Sequence, residues 1–238
     1  MTPARRCAVS LVCLAAGAAS ADVLVCHDTP LPIPDDTPAG VAVQFDPGDQ
    51  SGLVVTRVRL DLAVTHPWVG DLRAVLAHPS GATVVLLDRP GIPGVGFPGP
   101  FGCGGDDIGA SFIDLATTDA ETTCSTTAVP VLSGALRPLE ALAAFEGLPA
   151  GGVWTLTVAD LSVTDAGTLV SACLSITTAP ACPADLAEPF GSLNFFDLAA
   201  FLSLFQNGDP AADLAAPTGV FNFFDLSAYL SLYNAGCP

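Results

Sequence analysis

The sequence contains no lysine, and its seven arginines face 24 acidic residues, giving a formal net charge of −17. Nucleic-acid binding needs a cationic face that neutralises phosphates, so this balance excludes it. Anionic membrane surfaces are excluded on the same ground, whereas calcium remains compatible. Charged residues make up only 13% and aromatics 7%, while half of the 238 residues are apolar. That composition is too apolar for a disordered chain. With 23 glycines and 21 prolines it fits a loop-rich β protein.

The signatures of several enzyme classes are also missing. A subtilisin-type protease needs Asp, His and Ser from separate motifs, but the chain has neither a GTS-type serine loop nor an HGT-type histidine segment. No GxSxG elbow, HExxH or CxxC occurs, which leaves hydrolase and zinc readings without residues to carry them. His66 is expected to serve strand and turn packing, and His27 and His78 stand isolated. Asp106 and Asp107 are adjacent on a Gly-rich segment, a poor arrangement for paired-carboxylate glycosidase chemistry and a better one for solvent or calcium.

Residues 1–21 read as a signal peptide. Arg5 and Arg6 form the basic start, Cys7 to Ala19 is an apolar run too short to span a bilayer, and Ala19-Ser20-Ala21 is a small-x-small cleavage site. Past it no apolar run reaches about 18 residues, so no membrane-spanning helix is expected. The mature chain, from Asp22, is expected to be secreted, extracellular or at the cell surface. It keeps Cys26, Cys103, Cys124, Cys173, Cys182 and Cys237. An even number in an oxidising compartment points to disulfides, with the connectivity open.

Residues 41–176 are rich in Val, Leu and Thr with period-two alternation, which places a domain over residues 22–177. In LVVTRVRLDLAVT, residues 53–65, Val54, Val58, Leu60, Leu62 and Val64 are expected on one face, with Arg57, Arg59, Asp61 and Thr65 on the other. Two runs flank Pro79-Ser80-Gly81 as a hairpin. Trp154, Leu156 and Val158 alternate with threonines, and Val170, Ala172, Leu174 and Ile176 make a closing strand. The pattern predicts a mainly β protein with a jelly-roll β-sandwich. Asp71, Asp160 and Asp165 occupy turns that either follow ordinary turn chemistry or form a calcium site, and Trp68 offers a minor carbohydrate-binding alternative.

Three segments carry a family resemblance: THPWVGDLRAVLAHPSGATVVLL from Thr65, LEALAAFEGLPAGGVWTLTVAD from Leu139 and DAGTLVSACLSI from Asp165. In this order they resemble the P domain, also called P/Homo B, found C-terminal to subtilisin-like proprotein convertases and many bacterial proteases. The resemblance implies a jelly roll that stabilises or regulates a neighbouring catalytic domain.

From residue 182 onward the chain repeats itself. DLAEPFGSLNFFDLAAFLSLF from Asp185 returns as DLAAPTGVFNFFDLSAYLSLY from Asp213, a period of 28 residues. Leu198, Phe201, Leu202 and Phe205, and then Leu226, Tyr229, Leu230 and Tyr233, follow the i, i+3, i+4, i+7 spacing of one helical face. Two such helices can bury these faces against each other. Residues 178–238, which end in Gly-Cys-Pro, resemble a dockerin of the kind that finishes in Gly-Cys: a duplicated loop and helix that docks onto a cohesin module. The resemblance implies calcium on Asp185, Asn194 and Asp197 and on Asp213, Asn222 and Asp225. Counting the ligand positions from both ends leaves each loop one residue too long and short of its middle carboxylates, so calcium sites here are degenerate and weak. The alternative is that these Asp and Asn residues are helix caps.

Disulfides are expected between Cys182 and Cys237, bracketing the repeats, between Cys103 and Cys124, bracketing an acidic insertion, and between Cys26 and Cys173. Together these features predict a secreted, non-catalytic protein. Its sandwich is anchored by the dockerin-like pair to a cohesin-like or other cell-surface protein, with Phe195, Phe196, Phe223 and Phe224 either as contact aromatics or buried in the small core of the repeats. A role beside a separate peptidase is the main alternative.

Overall fold

The computed structural model describes residues 21–91, 102–124, 127–188 and 192–236. Two compact units divide the chain, Ser20–Ala181 and the segment from Cys182 onward.

In the first unit, among the described residues, ten strands form two sheets: β1 (Ala21–His27), β2 (Leu31–Ile33), β3 (Thr37–Phe45), β4 (Leu53–Thr65), β5 (Leu72–Ala77), β6 (Thr83–Asp88), β7 (Ile108–Phe112), β8 (Leu132–Leu136), β9 (Trp154–Asp160) and β10 (Gly167–Pro180). One sheet runs β1-β10-β4-β7-β8 with β2 also on β10, and the other runs β3-β9-β5-β6. All pairings are antiparallel except β7 with β8. One apolar core lies between the sheets, joining Leu60, Leu62 and Leu174 of the first to Leu72, Leu76 and Trp154 of the second. This is a β-sandwich.

Alternation builds most of it as the sequence predicts. Trp154, Leu156 and Val158 are buried, and the β5–β6 hairpin turns at residues 78–82, where the Ala82 carbonyl accepts from the His78 N–H at 2.8 Å. Two inward assignments are corrected. In β4 the core residue is Val55, not Val54, because the pairing with β10 shifts between Thr177 and Thr178 and Thr56 is extra. In β10 the core residue is Leu169, not Val170, across a second shift between Leu169 and Ser171. An inserted residue resets which face each side chain takes, since the side-chain period is two.

Disulfides Cys26–Cys173 and Cys103–Cys124 are formed as expected, the first between paired residues of β1 and β10. Cys182 is also disulfide-bonded. Its expected partner, Cys237, lies outside the described residues, as do residues 1–20 of the expected signal segment.

The second unit contains α1 (Phe195–Asn207) and α2 (Phe223–Ala235). Their start positions differ by the repeat period. Phe201 of α1 stacks on its counterpart Tyr229 of α2, with centroids 4.0 Å apart and planes 6° from parallel. A small core forms from Cys182, Ala184, Phe201, Leu204, Ala212 and Tyr229. The Tyr229 hydroxyl donates to the Ala184 carbonyl at 3.0 Å, and burial pushes its ionisation upward, so it stays neutral. The expected buried stripe is corrected here: Leu202 and Leu230 are exposed, and Leu204 takes the inward place in α1. The face centres on Asp197, Phe201 and Leu204, at i, i+4 and i+7, because the buried carboxylate of Asp197 rotates the stripe toward the loop.

Candidate functional site

Each helix of the second unit begins with a reciprocal cap. Asn194 Oδ1 accepts from the Phe196 N–H at 2.8 Å while Asp197 Oδ2 accepts from the Asn194 N–H at 2.7 Å. Asn222 and Asp225 repeat this on Phe224 and Asn222, both at 2.8 Å. The other oxygen of each Asp reaches back to the loop: Asp197 Oδ1 accepts from Leu186 and Ala187, and Asp225 Oδ1 from Ala215, all at 2.8 Å. Both carboxylates are completely buried, with their oxygens taken up by backbone donors. The N–H of Asn222 is the main cause that keeps the Asp225 carboxyl below the usual carboxylate range.

Four of the six residues singled out for calcium therefore serve as caps. The other two are Asp185, which is buried, and Asp213. Asp213 Oδ2 accepts from the Gly219 N–H, while its Oδ1 is buried and meets no hydrogen-bond donor. That orphaned oxygen is the feature of the second loop that fits a cation. Among the described residues no group of three or more His, Cys, Asp or Glu side chains could hold a metal. Any calcium would rely on few carboxylates.

Capping also fixes the aromatics. Placing Asn at the cap puts both Phe195-Phe196 and Phe223-Phe224 in the first turn, pointing away from the small core. Phe195 is 74% exposed and Phe223 72%, and Phe196 and Phe224 are nearly as open. The structure thus gives the four expected contact residues equivalent exposed positions in the two repeats.

In the sandwich, His66 and Asp160 form a fully buried pair, Nε2 to Oδ2 at 3.1 Å. His66 Nδ1 accepts from the Trp68 N–H at 3.1 Å, so Nε2 carries the proton donated to Asp160. Both ring nitrogens are engaged, and neither is placed to activate a nucleophile. Asp71 lies beside this pair; burial first and the Asp160 charge second raise its carboxyl above the usual range. Asp165 is not gathered in and accepts instead from Thr164 Oγ1 at 3.3 Å. Asp107, expected to face solvent or hold calcium, accepts the His66 N–H at 2.9 Å, while Asp106 is exposed. His78 is likewise structural, bonded through Nδ1 to Ser80 and through Nε2 to the Pro149 carbonyl. The Trp68 ring is half-buried and covers Gly104, where an added Cβ would stand 2.7 Å from it.

Residues 55–97 match the family model of the proprotein convertase P-domain. No curated protein matches the chain. Among solved structures, the chain is similar to the serine protease of Aeromonas sobria in complex with its chaperone ORF2. The identity is 16%, the coverage 66% of this chain and 27% of that one, and the TM-score 0.38. The same protease in another structure gives 17% identity, 65% and 27% coverage, and a TM-score of 0.36. The chain thus spans about a quarter of the length of the proteases it is compared with. The family match supports a P domain in the sandwich, a module associated with proteases and not itself catalytic.

Proposed function

We propose that the chain is an exported, non-catalytic binding protein in which a P-domain sandwich is anchored noncovalently through the C-terminal repeat pair. The observation that carries this reading is the exposure of four phenylalanines at matched positions of two repeats. Burying one such side chain gains about 1.5–3 kcal/mol, so a folded unit that keeps four in water has surface suited to a partner. The partner class is a cohesin-like or other cell-surface protein that presents an apolar groove to a helix N-terminus. Calcium belongs to this proposal at the second loop, where the orphaned oxygen of Asp213 would hold it weakly. It would supply charge compensation to a buried carboxylate oxygen.

The test is capture of a purified cohesin-type module by the full chain, compared with a variant carrying Phe195, Phe196, Phe223 and Phe224 all changed to Ser, each with calcium and with chelator. Binding lost in the variant at unchanged melting temperature supports the anchor, and equal binding by both proteins overturns it. A calcium-dependent rise in melting temperature that Asp213→Ala abolishes supports the weak site. A second reading, an accessory to proteolysis, is favoured by the P-domain match; a stable complex with a purified peptidase through the sandwich would select it.

A further inference from the structure

Beside the first half of β4, a groove of about 440 Å³ is bounded by Arg57, Arg59, Ile113, Leu115, Ala143 and Glu146. Its volume falls in the range of small-molecule sites. Three remote segments build it: β4, the turn after β7, and the short helix Leu142–Phe145. The apolar lining is unusually open, with Leu115 82% exposed.

Most of its polar groups are already committed. Asp114 accepts from the N–H groups of Leu142 and Ala143 at 2.8 and 2.7 Å, which fixes the short helix as a wall. Arg59 pairs with Asp61 at 2.7 Å, and the Thr56 hydroxyl donates to the Thr177 carbonyl. Arg57 differs. Alternation along β4 turns it away from the core, as it does Arg59, and among the described residues no ion pair includes it. Arg59, Arg73 and Arg137 are in ion pairs, whereas Arg89 has its Nε buried without a hydrogen-bond partner and is not in the groove. In a chain of net charge −17, an unpaired guanidinium beside an apolar groove is a place where one negative charge is welcome. The surrounding field opposes a multiply charged anion, and the exposed Glu146 on the rim sharpens that limit.

We propose that this groove binds an apolar monocarboxylate, its hydrocarbon part along Ile113, Leu115 and Ala143 and its carboxylate on the Arg57 guanidinium. Titration calorimetry of the full chain with decanoate, held below its micelle concentration and at low salt, tests the proposal. Decanol and acetate supply the chain and the charge separately. Decanoate is expected to bind more tightly than either. Its affinity should fall about tenfold in Arg57→Gln, as loss of one charge-assisted bond implies, and rise in Glu146→Gln. Decanol binding as tightly as decanoate, an Arg57→Gln variant that binds like the native chain, or no decanoate binding at all would overturn it.

Discussion

The sandwich and the repeat pair solve the same problem at different scales. The first has a core drawn from both sheets, with Trp154, Phe45, Phe112 and Phe145 fully buried, and two disulfides, one of them within the first sheet. The second buries one stacked ring pair and a few small side chains, then relies on caps, a hydroxyl and the bonded Cys182. Below a certain size apolar burial alone does not offset chain entropy, so local polar bonds take a larger share. The carboxylates illustrate this. In the sandwich, Asp160 and Asp107 orient one histidine inside a structure already held by its core. In the repeats, Asp197 and Asp225 close the loops themselves. A residue that resembles a metal ligand in sequence can thus be the hydrogen-bonding centre of a unit with little else.

The largest expected effect tests the independence of the two cores. Trp154→Ala should cost the sandwich about 3–5 kcal/mol while the unfolding of residues 182–236 is unchanged. Calorimetry of the full chain, with the two transitions assigned by hydrogen exchange, checks this; a common shift in both transitions breaks the comparison. Next comes Tyr229→Phe, which keeps the stack with Phe201 and removes the bond to Ala184, for a loss of about 1 kcal/mol confined to the repeats. Asn222→Ala should cost a similar amount through its cap. Because backbone donors hold Asp225 below the usual range, its contribution is present above the unfolded value near 3.8 and is lost as pH falls through the lower folded value. The repeats should therefore retain this interaction into mild acid, a point that melting curves from pH 6 down to 2 would read.

A further effect belongs to the sandwich and has the opposite sign. Burial, then the nearby Asp88 and Asp119, push the Glu121 carboxyl from 4.5 up to about 7. A raised carboxyl favours the protonated folded state, so this stability is full below about 4.5 and is lost as pH rises through 7. The sandwich should melt lower at pH 8.5 than at pH 5, and Glu121→Gln should flatten that slope. An unchanged slope in the variant would assign the effect to other groups.

Much of this was legible in the residues. The span of β4, the hairpin around Ser80, the paired cysteines of the sandwich and the two equal helices follow from alternation, turn chemistry and repetition. The Asn before and the Asp after the phenylalanine pair of each repeat were readable both as caps and as ligands, since the same oxygen atoms serve either purpose. Geometry alone separated the four caps from Asp213. Leu202 and Leu230 were misplaced because a spacing rule treats the helix by itself, whereas the face is chosen by what the partner helix and loop offer.

Local periodicity, composition and duplication, all properties of neighbouring residues, determined from the sequence that the chain holds a β-rich body and a twin-helix tail. Tertiary structure decided which side chains face the core past each bulge, which carboxylates are consumed by backbone donors, and that Arg57 meets Ile113, Leu115 and Ala143 at one groove. Those outcomes depend on register and on contacts between segments tens of residues apart, where one inserted residue reverses the orientation of every side chain that follows.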